Sequence, residues 1–97
     1  MSVTEARTDN EPFAVGRAWR LNPDVALRDE SFGALAYHYG TRRLVFLKSR
    51  ALVALVSSLH EYDSAADALD ALVPESERAS YARALARLAA SEVIDAD

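Results

Sequence analysis

Leu35, Tyr37 and Tyr39 alternate with Ala34, Ala36 and His38, and this period of two predicts a strand with one large-residue face. Gly40-Thr41-Arg42 supplies a turn. Leu44-Val45-Phe46-Leu47 then follows as an unbroken run of apolar residues, all but one good strand formers. The two segments read as a hairpin. A shorter strand over Val25–Leu27 precedes it and ends in the polar cluster Arg28-Asp29-Glu30-Ser31. After Lys48 the period changes. Ser49 can cap a helix in which Leu52, Leu55, Val56 and Leu59 share one stripe. Ser64-Ala65-Ala66-Asp67 resembles a capping box with Asp in place of Glu, and it opens a second helix through Leu69 and Leu72. Pro74 interrupts, and Glu75 or Ser76 starts a third helix with Tyr81, Leu85 and Leu88 on its stripe. The expected class is α+β: a three-stranded antiparallel sheet followed by three helices that pack on it.

Outside these elements the pattern fades. Residues 1–16 mix charge with Pro12 and Gly16 and read as a flexible tail ahead of a single domain over 17–97. Ala18–Pro23 is extended at best, because Pro23 pushes Asn22 out of the helical region. Val93-Ile94 is expected as a last packing contact. With 97 residues, one domain is all the chain can make.

Charge is unevenly placed. The net charge is −4, yet no acidic residue lies between Ser31 and His60, where Arg42, Arg43, Lys48 and Arg50 all fall. That segment carries +4, leaving seven bases against fifteen acids elsewhere. A basic segment on an acidic protein suits an anionic partner, either a peptide or a nucleic acid. No apolar run approaches the ~20 residues a bilayer span needs, and no basic-then-apolar signal opens the chain. The expected location is the cytoplasm, with no membrane partner.

Composition excludes much chemistry. The absence of cysteine removes disulfides, thiolate nucleophiles, cysteine-held zinc and iron–sulfur clusters. His38 and His60 lack metal-ligand spacing, no serine sits in a nucleophile elbow, and three glycines in total form no phosphate cradle. No catalytic residue, metal or cofactor is therefore assigned, and the chain does not read as an enzyme. His38 reads as a surface or hydrogen-bonded side chain, and His60 as a cation near a helix end.

A hairpin with three helices is also the layout of a winged helix-turn-helix, whose third helix here would carry Arg78, Arg83 and Arg87. The acidic balance of the chain argues against DNA. The apolar run Leu44–Leu47 is the more informative feature. In a meander it is an edge strand, and an apolar edge without a central charge or proline needs a cover. A peptide added as a fourth strand is one such cover; the third helix or a second copy is another. Arg43, Val45 and Leu47 form one set of backbone parity, and Leu44, Phe46 and Lys48 the other. The pattern leaves open which set faces outward.

The runs Trp19-Arg20-Leu21-Asn22-Pro23-Asp24-Val25-Ala26-Leu27-Arg28, Phe32–Tyr39 and Arg42–Ser49 closely resemble the peptide chaperones of mycofactocin biosynthesis. These belong with the peptide-recognition elements typified by the pyrroloquinoline quinone chaperone. The resemblance spans about Trp19 to Ile94. It implies a winged-helix variant that no longer reads DNA and that captures the acidic leader of a ribosomally made precursor peptide for a radical S-adenosylmethionine maturase. By the same resemblance the leader adds beside the third strand. Arg42 and the edge Arg43, Leu44, Val45, Phe46, Leu47 and Lys48 would meet it, with Tyr81, Leu85, Leu88 and Arg78 as the far wall. The open edge also gives the free protein a route to a homodimer. The alternatives are a DNA-binding winged helix and a purely structural subunit of the maturase complex.

Overall fold

The computed structural model describes residues 13–97. The tail expected over 1–16 falls mostly outside them. Strand β1 (Trp19–Leu21) opens the domain. β2 (Val25–Glu30), β3 (Gly33–His38) and β4 (Arg43–Leu47) follow, then helices α1 (Arg50–Ser58), α2 (Ala65–Leu72) and α3 (Arg78–Ala90), and β5 (Ile94–Ala96) closes it. The class is the expected α+β one: β2, β3 and β4 form a three-stranded antiparallel sheet in chain order, followed by three α-helices.

The hairpin and the helix caps form as their sequences require. Ser49 Oγ accepts the Leu52 N–H at 3.0 Å, and Ser64 Oγ accepts that of Asp67 at 3.0 Å. Both caps satisfy donors that the first helical turn leaves unpaired. The third helix begins later than expected, because residues Glu75–Glu77 form a 3-10 turn before α3. β2 is also longer than the three apolar residues suggested. It runs on to Glu30, where the two-residue turn Ser31-Phe32 leads into Gly33. Gly33 has φ +149°, and a Cβ there would collide with the Leu47 carbonyl at the end of β4. Only glycine fits.

A second sheet was not apparent from periodicity. β1 pairs antiparallel with β5, setting Trp19 against Ala96 and Leu21 against Ile94. Arg20 reaches across it to Asp95 at 3.1 Å. Two strands of three residues carry too little pattern to be read, and their pairing closes almost the whole chain. Asn22 then links this sheet to the large one. Its Nδ2 donates to the Glu92 carbonyl at 2.9 Å and lies 3.3 Å from His38 Nε2.

The core lies between the inner face of the large sheet and the helices. Ala34, Ala36 and Leu47 enter it from β3 and β4, Leu55 and Val56 from α1, Ala65, Ala68 and Leu69 from α2, and Leu85 and Leu88 from α3. Trp19, Val93 and Ile94 are buried as well. Phe13 packs at a tilt against Trp19, with ring centroids 5.1 Å apart. Small alanines on the middle strand allow the helices to approach closely, so packing there is backbone-to-side-chain rather than between large side chains. No helix among the described residues is long and apolar enough to cross a membrane.

Candidate peptide-binding edge and groove

Among the described residues β4 is an edge strand: the large sheet ends with it. The direction of its amides follows from the register. Tyr39 donates its N–H to the Asp24 carbonyl at 2.8 Å, one step beyond the pair Val25 and His38. Hydrogen-bonded pairs alternate along an antiparallel ladder. Tyr37 and Leu35 therefore turn their amides toward β2, while Ala34, Ala36 and His38 turn theirs toward β4. Their partners are Leu47, Val45 and Arg43, so these three point inward. Leu44 and Phe46 point their N–H and C=O groups out of the sheet. The parity that sequence left open is thereby resolved.

Side chains alternate with the same period. Leu47 is fully buried and Val45 half-buried against the core, whereas Leu44 and Phe46 stand on the outer face, 59% and 55% exposed. Beside the end of β4 a groove of about 220 Å³ opens toward α3. Its floor and near wall are Lys48, Ser49 and Leu52, and its far wall is Ser80, Tyr81, Ala84 and Arg87. Ser80, Ala84 and Arg87 recur at i, i+4 and i+7, one stripe of α3 displaced from its core stripe.

That displacement corrects part of the expected wall. Tyr81 lines the groove, but Leu85 and Leu88 do not: they are 0% and 5% exposed and belong to the core. Arg78 is also committed elsewhere. Its guanidinium donates to the carbonyls of Val73 (2.9 Å) and Asp70 (3.1 Å) and lies 3.5 Å from the Asp70 carboxylate. It caps the C-terminal end of α2, where carbonyls lack intrahelical partners. Arg87, which sequence placed on the third helix only as a cation of the winged-helix alternative, lines the groove. Ser80 and Ala84 were also missed, since small residues give no signal in sequence; the i, i+4, i+7 spacing beside Tyr81 was the available clue.

The electrostatics sharpen the site. Arg20, Arg28 and Arg78 each pair with a carboxylate. Among the described residues, Arg42, Arg43, Lys48, Arg50, Arg83 and Arg87 have no carboxylate within ion-pairing distance. The unpaired cations thus come from the acid-free segment and from α3, on both sides of the groove in the case of Lys48 and Arg87. Unpaired positive charge beside free amide donors favours an anionic chain.

His38 positions one end of the edge. It is buried, and its Nδ1 accepts the N–H groups of Gly40 (3.0 Å) and Thr41 (3.2 Å). The loop it braces places Arg42 at φ 66° and returns the chain into β4. It is a hydrogen-bonded structural histidine.

An open strand edge, a helix-walled groove and unpaired cations thus lie on one part of a small α+β domain. The model of the peptide chaperone MftB family matches residues 18–95. Three proteins named peptide chaperone MftB are similar to this chain. The one from Mycobacterium tuberculosis (strain ATCC 25618 / H37Rv) is 44% identical over 91% of this chain and 82% of its own length. That from Mycobacterium ulcerans (strain Agy99) is 47% identical over 84% and 76%, and that from Mycolicibacterium smegmatis (strain ATCC 700084 / mc(2)155) 46% over 79% and 76%. No solved structure gives a significant match. The chain belongs to the peptide chaperone MftB family.

Proposed function

We propose that this peptide chaperone binds the acidic leader of a ribosomally made precursor as a fourth strand on β4, and presents it to a radical S-adenosylmethionine maturase without doing chemistry itself. The observation that carries this reading is the pair of outward amides on Leu44 and Phe46, beside a groove edged by Lys48 and Arg87. An extended peptide satisfies those donors and acceptors through its own backbone, which provides affinity without demanding a particular sequence. Carboxylates of the leader meet the unpaired cations. Tyr81 and Ala84 cover the groove side of the added strand. The maturase supplies the reactive cofactor, in keeping with a cysteine-free chain. Such a domain works where that enzyme works, in the cytoplasm. In the free protein, the same edge is where a second copy would pair.

Binding measured side by side for the precursor leader and a generic DNA duplex tests the reading. Saturable binding of the leader, with none of the duplex at matched salt, is expected. A duplex bound as tightly as the leader would point instead to a winged-helix DNA reader. Incubation with precursor and S-adenosylmethionine, without the maturase, should leave the peptide mass unchanged.

A further inference from the structure

Resting on the strand-addition reading above, we infer that Leu44 and Phe46 form a second recognition row, on the sheet face opposite the groove, that selects apolar residues at alternate positions of the bound peptide. The geometry requires a contact there. A strand that takes the outward amides of Leu44 and Phe46 sets two of its own residues directly opposite them. Cross-strand partners project to the same face with Cβ atoms about 4.5–5.5 Å apart. The intervening residue falls opposite Val45, on the groove side. The bound peptide is therefore read on two faces at once, by different chemistry.

The outer face is largely apolar and preorganised. Phe46 stacks on Phe32 with ring centroids 5.7 Å apart, and Leu44 borders a hollow of about 370 Å³ lined also by Ala26, Leu35, Tyr37, Tyr39 and Arg28, whose guanidinium is paired with Glu30. Tyr37 and Tyr39 pack edge-on at 5.2 Å. Stacked rings lose little freedom when a ligand arrives, so apolar area buried against them favours binding with a small ordering cost. Of the cations near the site, Lys48 and Arg87 line the groove with no carboxylate partner among the described residues, whereas Arg28 on the outer face is neutralised by Glu30. Apolar residues at alternate positions thus face Leu44 and Phe46, and acidic residues lie on the groove side or at the ends. The ligand class is an acidic segment with an apolar-x-apolar centre.

The test uses labelled synthetic peptides of one length and one glutamate content. One carries valine at two alternate central positions, and its control carries serine there. The protein is wild type, L44T/F46T or Y81A. The wild type should bind the valine peptide roughly five- to tenfold more tightly than the serine peptide, the sum of two cross-strand pairs. L44T/F46T, which puts strand-favouring β-branched side chains at exposed positions, should still bind both but lose the preference; Y81A should bind both more weakly and keep it. Equal binding of the two peptides by wild type would overturn the second row. So would a preference that survives L44T/F46T and vanishes in Y81A, since the groove alone would then read the valines. In either case the strand-addition reading stands. Failure of every peptide to bind would overturn both.

Discussion

His38 receives the amide of Gly40 on its Nδ1 at 3.0 Å, inside the protein, and through it holds the loop that turns β3 into β4. Thr41 shares the same acceptor at 3.2 Å. On the other side of the ring, Nε2 lies 3.3 Å from Asn22 Nδ2 and 3.9 Å from the Glu92 carboxylate. One side chain thereby supports the start of the binding edge and contacts the segment leading into β5.

Replacing His38 with Ala should therefore cost both stability and binding. Two loop amides lose their acceptor, at about 1–3 kcal/mol. Urea unfolding gives the stability loss, and leader titration should show a weaker complex because Arg42 and Arg43 are no longer held. A midpoint unchanged in urea would mean that water replaces the ring at no cost.

The amide parity of β4 has a direct consequence for backbone esters, which delete one N–H and keep the side chain. Esters at Val45 and Leu47 should lower folding stability by roughly 0.5–1.5 kcal/mol each. Those at Leu44 and Phe46 should leave the free protein nearly as stable and weaken leader binding by a similar amount. If stability and binding fell together at all four positions, the leader would not be pairing as a strand.

Charge reversal should be felt most where the cations line the groove. Lys48→Glu with Arg87→Glu is expected to weaken leader binding by about 1–2 kcal/mol at low salt, with the gap to wild type narrowing as salt is raised. Arg42→Glu with Arg43→Glu should act in the same direction and less strongly, since these two stand on the exposed approach to β4. A salt-independent loss would indicate damage to packing rather than lost attraction.

Arg78 separates stability from recognition. Arg78→Ala removes the cap on α2 and should cost about 1 kcal/mol, discounted for the partial exposure of the side chain. Leader affinity measured well below the melting temperature should stay within twofold of wild type. A larger drop in affinity would return Arg78 to the peptide wall.

Gly33→Ala tests the tightest joint of the fold. The new methyl meets the Leu47 carbonyl in a backbone conformation that alanine avoids. Strain of at least about 1–3 kcal/mol is expected, visible as a lower melting temperature. An unaltered melting temperature would show that β4 can shift away from the turn without cost.

Much of this protein was decided by local sequence. The alternation Leu35, Tyr37, Tyr39 and the run Leu44–Leu47 specify strands because a period of two places large side chains on one face. Ser49 and Ser64 start helices because their oxygens accept amides nearby in the chain. The acid-free stretch from Ser31 to His60 marks the basic side of the molecule with no structure needed. These signals lie within a few residues of what they determine. Other features depend on distance in space. Trp19 to Leu21 has no strand signature, yet it pairs with Ile94 to Ala96 because the helices return the chain end to it. Tyr81, Leu85 and Leu88 share one helical stripe, and only the seat of α3 against the sheet sends the leucines into the core while Tyr81 meets the groove. Arg78 and Arg87 are alike in sequence. The end of α2 takes up the first, and the second is left beside Lys48 with no carboxylate to pair with among the described residues. The outward parity of Leu44 and Phe46 is likewise a property of register, set by the bond from Tyr39 to Asp24 on the far side of the sheet. Period and capping act through the chain, whereas register and helix seating act through the core that the whole chain must close.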